Sequence, residues 1–327
     1  MIEMFRPLPV ALACALLAAL AWHLAAGAHS VPLPTVLQAL ISGVADSYDS
    51  AVILQIRLPR ALGAMLAGAC LAAAGALMQG ATRNPLADPG LFGLLAGAAL
   101  AVVLGQGHLG LTGPLAVPLL AAIGALAGAL MVWALSAAAP AGGTLTPVLA
   151  GAAVTAFLGA ITLLLNLMDE AQYDALRIWL SGALSGLRMP VMMLAAPAGT
   201  AAMIAALVIA PRLTALEMGD EAAQGVGLNL ARLRAATLVT VVILTACAVA
   251  LAGPLGFVGL TVPHVARMIA GADYGRLMPV SIVLGAIYLL GMDTAARVAL
   301  APAEISVGIL TALIGAPIFI LLVRARV

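Results

Sequence analysis

The chain has 327 residues, of which 64% are hydrophobic and only 8% are charged, and its formal net charge is +1. Soluble domains contain roughly 45–50% apolar and about 25% charged residues, so these charges are too few to cover a soluble surface. The composition indicates an all-α integral membrane protein, and its small net charge gives no reason to expect a nucleic-acid partner.

Apolar runs long enough to cross a bilayer, about 20 residues each, occur ten times along the chain. The predicted spans are residues 8–28, 61–80, 91–107, 114–139, 145–168, 191–210, 235–252, 253–271, 277–291 and 305–323. The seventh and eighth meet at Gly253-Pro254, where proline after glycine predicts a turn. The first run ends in Ala26-Gly27-Ala28, which resembles a signal-peptidase site. That run exceeds the usual apolar region of about 7–15 residues, so we predict a retained first span.

The arginines predict the orientation, because cytoplasmic loops carry an excess of basic residues. With both termini in the cytoplasm, the larger group of arginines lies inside: Arg6, Arg83, Arg212, Arg232, Arg234, Arg267, Arg276, Arg324 and Arg326. The smaller group lies outside: Arg57, Arg60, Arg177, Arg188 and Arg297.

The chain lacks the residues of a built-in energy source. It contains no lysine, and a Walker A loop needs lysine at the phosphates. Ion-coupled transporters carry ionisable relays within their spans, whereas the middle of nearly every predicted span is uncharged. The sequence therefore predicts a transporter driven by a separate protein, with an ion-coupled secondary transporter as one alternative.

Catalytic and metal-binding patterns are also missing from the sequence. The cysteines Cys14, Cys70 and Cys247 lie singly in apolar runs, so we expect no metal or cofactor on this chain. HExxH and GxGD are absent, and residues 182–186 have one residue too many for GxSG. An intramembrane enzyme using Ser185 and His264 is the rival class.

Two predicted cytoplasmic segments each have a structural and a functional interpretation. Residues 83–90 contain two prolines, which predicts a rigid corner, either a simple turn or part of an inner gate. Residues 213–230, which we call the coupling segment, predict a short helix, a sharp turn and a second helix. The apolar side of this segment would lie on the membrane surface or in a groove of a soluble ATPase. Its residues of interest are Leu213, Leu216, Glu217, Asp220, Glu221, Ala223, Gly225, Val226 and Gly227.

On the opposite side of the membrane, three arginines lie at the predicted outer ends of spans. Arg57 and Arg60 precede the second span, and Arg297 follows the ninth. These cations would either anchor the chain at lipid headgroups or bind an acidic partner, since arginine pairs with carboxylates bidentately.

Over nearly its whole length the sequence resembles the FecCD-type permeases of bacterial ATP-binding-cassette (ABC) importers for ferric siderophores, haem and cobalamin. The matching stretches are RLPR at 57–60, NPLADPG at 84–90, GPLGFVGLTVPH at 253–264, PVS at 279–281, Asp293 with Arg297, and GILTALIGAP at 308–317. The chain departs from the family at 302–306, where PAEIS stands in place of the usual Glu-Leu-Pro.

The resemblance implies a type II importer permease: a single domain of ten transmembrane helices over residues 1–327, in the bacterial inner membrane. It implies a homodimer with two cytoplasmic ATPases and one periplasmic binding protein. Arg57, Arg60 and Arg297 would meet the binding protein, and the coupling segment would meet the ATPase. An inner gate is expected at Asn84, Leu86, Thr144 and Leu145, and a pathway at Asn166, Arg177 and Trp179. A ferric siderophore or haem is the expected cargo, with cobalamin as the alternative.

Overall fold

The computed structural model describes residues 8–111, 113, 115–138, 146–168 and 177–324. Every regular element within these residues is helical, which confirms the predicted all-α fold. The helices are α1 (Leu8–Ala25), α2 (Leu33–Ser42), α3 (Tyr48–Ala51), α4 (Leu58–Thr82), α5 (Leu94–Val102), α6 (Ala116–Ala138), α7 (Thr146–Met168), α8 (Met189–Glu217), α9 (Asp220–Gly225), α10 (Leu230–Ala252), α11 (Val258–Ala270), α12 (Tyr274–Val298) and α13 (Val307–Arg324). π-Helical turns, Val52–Arg57 and Val103–His108, join α3 to α4 and extend α5.

The predicted number of about ten spans is roughly consistent with the structure. Within the described residues, seven helices are long and apolar enough to cross a membrane, and three shorter apolar helices stand where the third, eighth and tenth spans were expected. The eighth is shorter than predicted, because α11 begins only at Val258. Gly253 and Phe257, with φ of 69° and 66°, turn the chain before it. At about 1.5 Å per residue, α11 is too short to cross a core of about 30 Å by itself.

Helices α2 and α8 also differ from the sequence prediction. The amphipathic helix α2 was not predicted, because ten residues with one apolar side fall below the length of a span. Helix α8 continues to Glu217, beyond the predicted end of the sixth span at residue 210, although it contains Pro197 and Pro211. The coupling segment therefore starts inside α8 and includes the short helix α9.

Helix α4 forms the centre of the bundle and is buried along most of its length. Its Gly68 lies against the backbone of Gly285 in α12, and its Gly75 lies against the backbone of Gly259 in α11. In lipid, where apolar surface gains nothing by leaving the solvent, such close backbone contacts hold helices together. The glycines thus bring α11 and α12 directly onto α4.

Candidate functional site

Ionisable side chains gather at the end of the bundle where α1 and α12 finish and α4 begins. We call this group the arginine cluster: His23, Arg57, Arg60, Asp293, Arg297 and Glu304. It joins α1, α4, α12 and the loop that leads into α13. Three helices and this loop are therefore held together at one point by polar contacts.

Asp293 is the central acceptor of the arginine cluster and is fully buried. Arg60 donates to both of its oxygens, from Nε at 3.1 and 2.9 Å and from Nη2 at 2.9 Å. His23 Nε2 lies 2.8 Å from Asp293 Oδ2, and Arg297 Nε lies 3.5 Å from the same oxygen. A buried carboxylate is tolerated when it is paired in this way.

The other two guanidinium groups bind main-chain carbonyls at the end of α1. Arg57 donates to the oxygens of Leu24 at 2.6 Å and Ala25 at 2.9 Å, and also to that of His29. Arg297 donates to the oxygens of His23 at 2.8 Å and Ala26 at 3.2 Å. Carbonyls at a helix C-terminus lack helical partners and carry partial negative charge, so they suit these cations.

The burial of the three arginines contradicts one expectation from the sequence. Arg57, Arg60 and Arg297 were expected to face lipid headgroups or a partner, yet they are only 4%, 6% and 5% exposed. The reason is that acceptors distant in sequence surround them. A binding role for these arginines stays a prediction, and it requires part of the cluster to open.

Carboxylates and carbonyl oxygens share the contacts of the three arginines. Asp293 and Glu304 lie within the cluster, and main-chain carbonyls supply the remaining contacts. A third carboxylate, Asp49, lies near enough to Arg57 to act on its charge.

The predicted pathway residues lie beside this end of the bundle. Arg177 is exposed in the helical turn 177–180, and Trp179 in the same turn is partly buried. Trp179 borders a cavity of about 220 Å³ between the starts of α6 and α8 and the end of α10. Asn166 is partly buried in the last turn of α7. Trp179, but not Asn166, borders this cavity, which has room for a small ligand group.

Contacts tie the segment after this turn to α13. Ser181 Oγ lies 2.6 Å from Ser306 Oγ, and the Gly308 amide donates to the Gly182 carbonyl at 2.9 Å. Gly182 has φ of 75°, a conformation that glycine adopts without strain. Movement at the start of α13 would therefore reach the cavity beside Trp179.

At the other end of α4, residues 83–90 form the compact corner that the prolines predict, and we call it the gate loop. The Leu86 amide donates to Asn84 Oδ1 at 2.9 Å, and the Gly90 amide donates to Asp88 Oδ1 at 2.7 Å. Burial raises the pKa of Asp88 to about 6, against the opposing effect of the Gly90 hydrogen bond. Thr144 and Leu145, the other expected gate residues, lie outside the described residues.

The coupling segment differs from its predicted arrangement. Leu213 and Leu216 in α8 and Ala223 in α9 are fully buried within the chain, so the expectation that they form a surface for another protein is wrong. The extension of α8 turns these side chains into the bundle. Met218 and Val226, which are 67% and 65% exposed, form the apolar surface instead.

The polar residues of the coupling segment hold it to its neighbours. Asp220 pairs with Arg83 of the gate loop at 3.2 Å and with Arg234 of α10 at 2.8 Å. Glu217 pairs with Arg267 of α11 at 3.3 Å. Glu221, Gly225 and Gly227 are exposed, as a contact surface requires.

Residues 15–325 match the FecCD transport family. The chain belongs to this family. It is 38% identical to the ferric enterobactin transport system permease of Escherichia coli, over 95% of this chain and 93% of that protein. It is 39% identical to the hemin transport system permease of Yersinia pestis, over 84% and 83% of the two chains.

A solved structure agrees with the FecCD assignment. The inward-facing conformation of a metal-chelate type ABC transporter superposes with a TM-score of 0.85 and 30% sequence identity, covering 97% of this chain and 98% of that chain. The helix order and packing described above are therefore those of an ABC transporter permease.

Sequence reasoning missed the acceptors of this FecCD chain's arginine cluster. Asp293 was identified only within a stretch that resembles the FecCD-type permeases, and Glu304 only as part of a divergent stretch. One signal was available: Asp293 and Arg297 stand four apart, so they share a helix face. An ionisable residue within a span usually has a polar partner inside the bundle.

Proposed function

We propose that this chain is the membrane-spanning permease subunit of an ABC importer that carries a ferric chelate, a siderophore complex or haem, into the cytoplasm. The observation that carries the proposal is the full-length likeness to the solved metal-chelate transporter. Relatives whose names specify ferric enterobactin and hemin support the cargo class. Cobalamin stays the alternative cargo.

The proposed assembly contains two copies of this chain, two cytoplasmic ATPases and one periplasmic binding protein. The chain has no lysine for a Walker A loop, which supports ATP hydrolysis on a separate subunit. We assign ATPase contact to the exposed part of the coupling segment around Met218 and Val226. Both termini would lie in the cytoplasm of a bacterium, with the arginine cluster facing the periplasm.

The proposed mechanism is alternating access driven from the cytoplasmic side. Closure of the ATPases would move α9, and Asp220 would pass that movement to Arg83 at the start of the gate loop. At the periplasmic end, an acidic surface of the binding protein would bind the arginine cluster and deliver the chelate near Trp179. Small and apolar pathway residues would leave most of the cargo selectivity to the binding protein.

Vesicle transport tests this function directly. The chain is reconstituted with its ATPase, and a binding protein loaded with a ⁵⁵Fe-siderophore, haem or ⁵⁷Co-cobalamin is added outside. We expect ATP-dependent accumulation of one iron chelate, and none when the ATPase carries an inactive Walker A loop. Accumulation by the chain alone under an ion gradient would contradict the proposal, and preference for cobalamin would change its cargo.

A further inference from the structure

We propose that Glu304 is an internal substitute for a carboxylate of the docking partner. It holds Arg60 while no binding protein is present and releases Arg60 when an acidic side chain of that protein arrives. This inference rests on the proposed function, because it takes the arginine cluster as the docking surface.

The two carboxylates bound to Arg60 differ in their freedom to leave. Asp293 is completely buried and is also in contact with His23 and Arg297. The Glu304 side chain is 45% exposed, and Oε2 accepts a hydrogen bond from Arg60 Nη1 at 2.9 Å. An incoming carboxylate can therefore replace Glu304 without disturbing Asp293.

Such an exchange requires little energy at Arg60. The guanidinium loses one charge-assisted hydrogen bond and gains another of the same kind. Glu304 moves into water, where a carboxylate is well solvated. Because Arg60 is held in place by Asp293 throughout, the partner meets a fixed donor rather than a mobile side chain.

Glu304 lies where its release can affect the proposed translocation pathway beside Trp179. It stands directly before the start of α13, beside Ile305, whose amide donates to the Ala296 carbonyl at 3.1 Å. The next contacts are those of Ser306 and Gly308 with residues 181 and 182. Release of Glu304 therefore loosens the start of α13 and the segment beside Trp179, which opens the cavity when the binding protein is docked.

The test compares two changes that remove one negative charge from the same end of the molecule. Glu304→Gln removes the competing carboxylate, and we expect the binding protein to bind about tenfold more tightly. The control is Asp46→Asn, because exposed Asp46 accepts a hydrogen bond from Ser50 Oγ at 3.0 Å, whereas Glu304 pairs with Arg60. At about 0.5 M salt, long-range attraction is screened, so the control should change the affinity less than twofold. Equal effects of both variants would overturn the inference.

Hydrogen exchange gives a second, independent measurement on the unaltered chain. Docking of the binding protein should raise the exchange rate of amides in residues 303–310 at least threefold, because Glu304 no longer holds this segment. Glu304→Gln should show the faster rate before docking. Slower or unchanged exchange on docking would contradict release.

Failure of the inference can be separated from failure of the docking proposal. Arg60→Lys keeps the positive charge but loses the bidentate contact, and it should weaken docking at least tenfold. If Arg60→Lys weakens docking while Glu304→Gln leaves it unchanged, the docking surface stands and the role of Glu304 is wrong. If neither variant alters docking, both proposals are wrong.

Discussion

Within the described residues of this FecCD-family chain, two carboxylates are buried with very different surroundings. Asp293 is bound by Arg60 and His23, whereas Asp88 in the gate loop accepts its hydrogen bond from the Gly90 amide. Removing a carboxylate from water disfavours its charged form unless a cation or several donors compensate. Ionised Asp88 therefore lowers the stability of the fold at neutral pH, and Asp293 does not share this weakness.

We predict that Asp88→Asn raises the unfolding midpoint at pH 7.5 and changes it little at pH 4. Folding raises the pKa of Asp88 from 3.8 to about 6, so its contribution is fully present below pH 4 and is lost as the pH rises towards 6. The gain at pH 7.5 is at most about 3 kcal/mol. Thermal unfolding of the purified protein in detergent at both pH values measures the effect.

The asparagine side chain of this variant can still accept the hydrogen bond from the Gly90 amide, so the variant isolates the charge. Asp46→Asn is the matched control, because Asp46 is exposed and accepts from Ser50 at 3.0 Å. It should show no difference between the two pH values. A lower midpoint for Asp88→Asn at pH 7.5 would mean that the charge stabilises the gate loop.

The sequence singled out the three arginines of the cluster but not the groups that accept their hydrogen bonds. Arg57, Arg60 and Arg297 stood out because charges are rare in this chain and they border apolar runs. Their burial was not predictable, since Arg60 meets Asp293 and Glu304 at separations of 233 and 244 residues. Which distant acceptors reach an arginine depends on how the helices cross, and periodicity alone does not determine this.

At the scale of helices, the apolar runs were well predicted because lipid demands about 20 apolar residues per span. Features that depend on tertiary packing were not. The end of α8 places Leu213 beside Gly80 of α4, and the start of α11 places Gly259 beside Asp88 of the gate loop. Hydropathy does not encode these contacts. Small residues four apart were visible in sequence, but their partners across the helix crossings were not.

We predict that Gly75→Ala destabilises the bundle, because a methyl group there would overlap the backbone of Gly259. Neither backbone can move without separating α4 from α11, so the cost should be at least about 2 kcal/mol. The matched control is Gly159→Ala in α7, where an added methyl group meets nothing within 4 Å. That change should be neutral or slightly stabilising, since alanine favours helix.

Thermal unfolding and the size-exclusion profile of both purified variants decide this prediction. A fall in the midpoint for Gly75→Ala alone shows that the α4–α11 contact is tightly packed. Equal midpoints for the two variants would show that the bundle accommodates the methyl group by a small shift.

Across the whole molecule, α4 connects the two functional ends. It begins beside the arginine cluster and ends at Thr82, and its 25 residues cover about 37 Å. Arg60 near its start binds Asp293, and Arg83 just beyond its end pairs with Asp220 of the coupling segment. A single buried helix thus links the proposed docking surface to the proposed ATPase surface, and a rigid shift of α4 would change both ends together.

The exposed apolar side chains of the coupling segment give the last prediction. Met218→Asp with Val226→Asp places two charges on the surface assigned to the ATPase, and we expect association with that subunit to weaken at least tenfold. The matched control is Leu37→Asp with Val44→Asp, which alters two exposed apolar residues near the arginine cluster. Co-purification and the affinity of the ATPase for detergent-solubilised permease measure the effect. All four side chains are exposed within the chain, and thermal unfolding of each purified double variant checks that the added charges leave the fold intact. If the control pair weakens ATPase binding as much as the coupling pair, or if the coupling pair has no effect, the ATPase binds elsewhere.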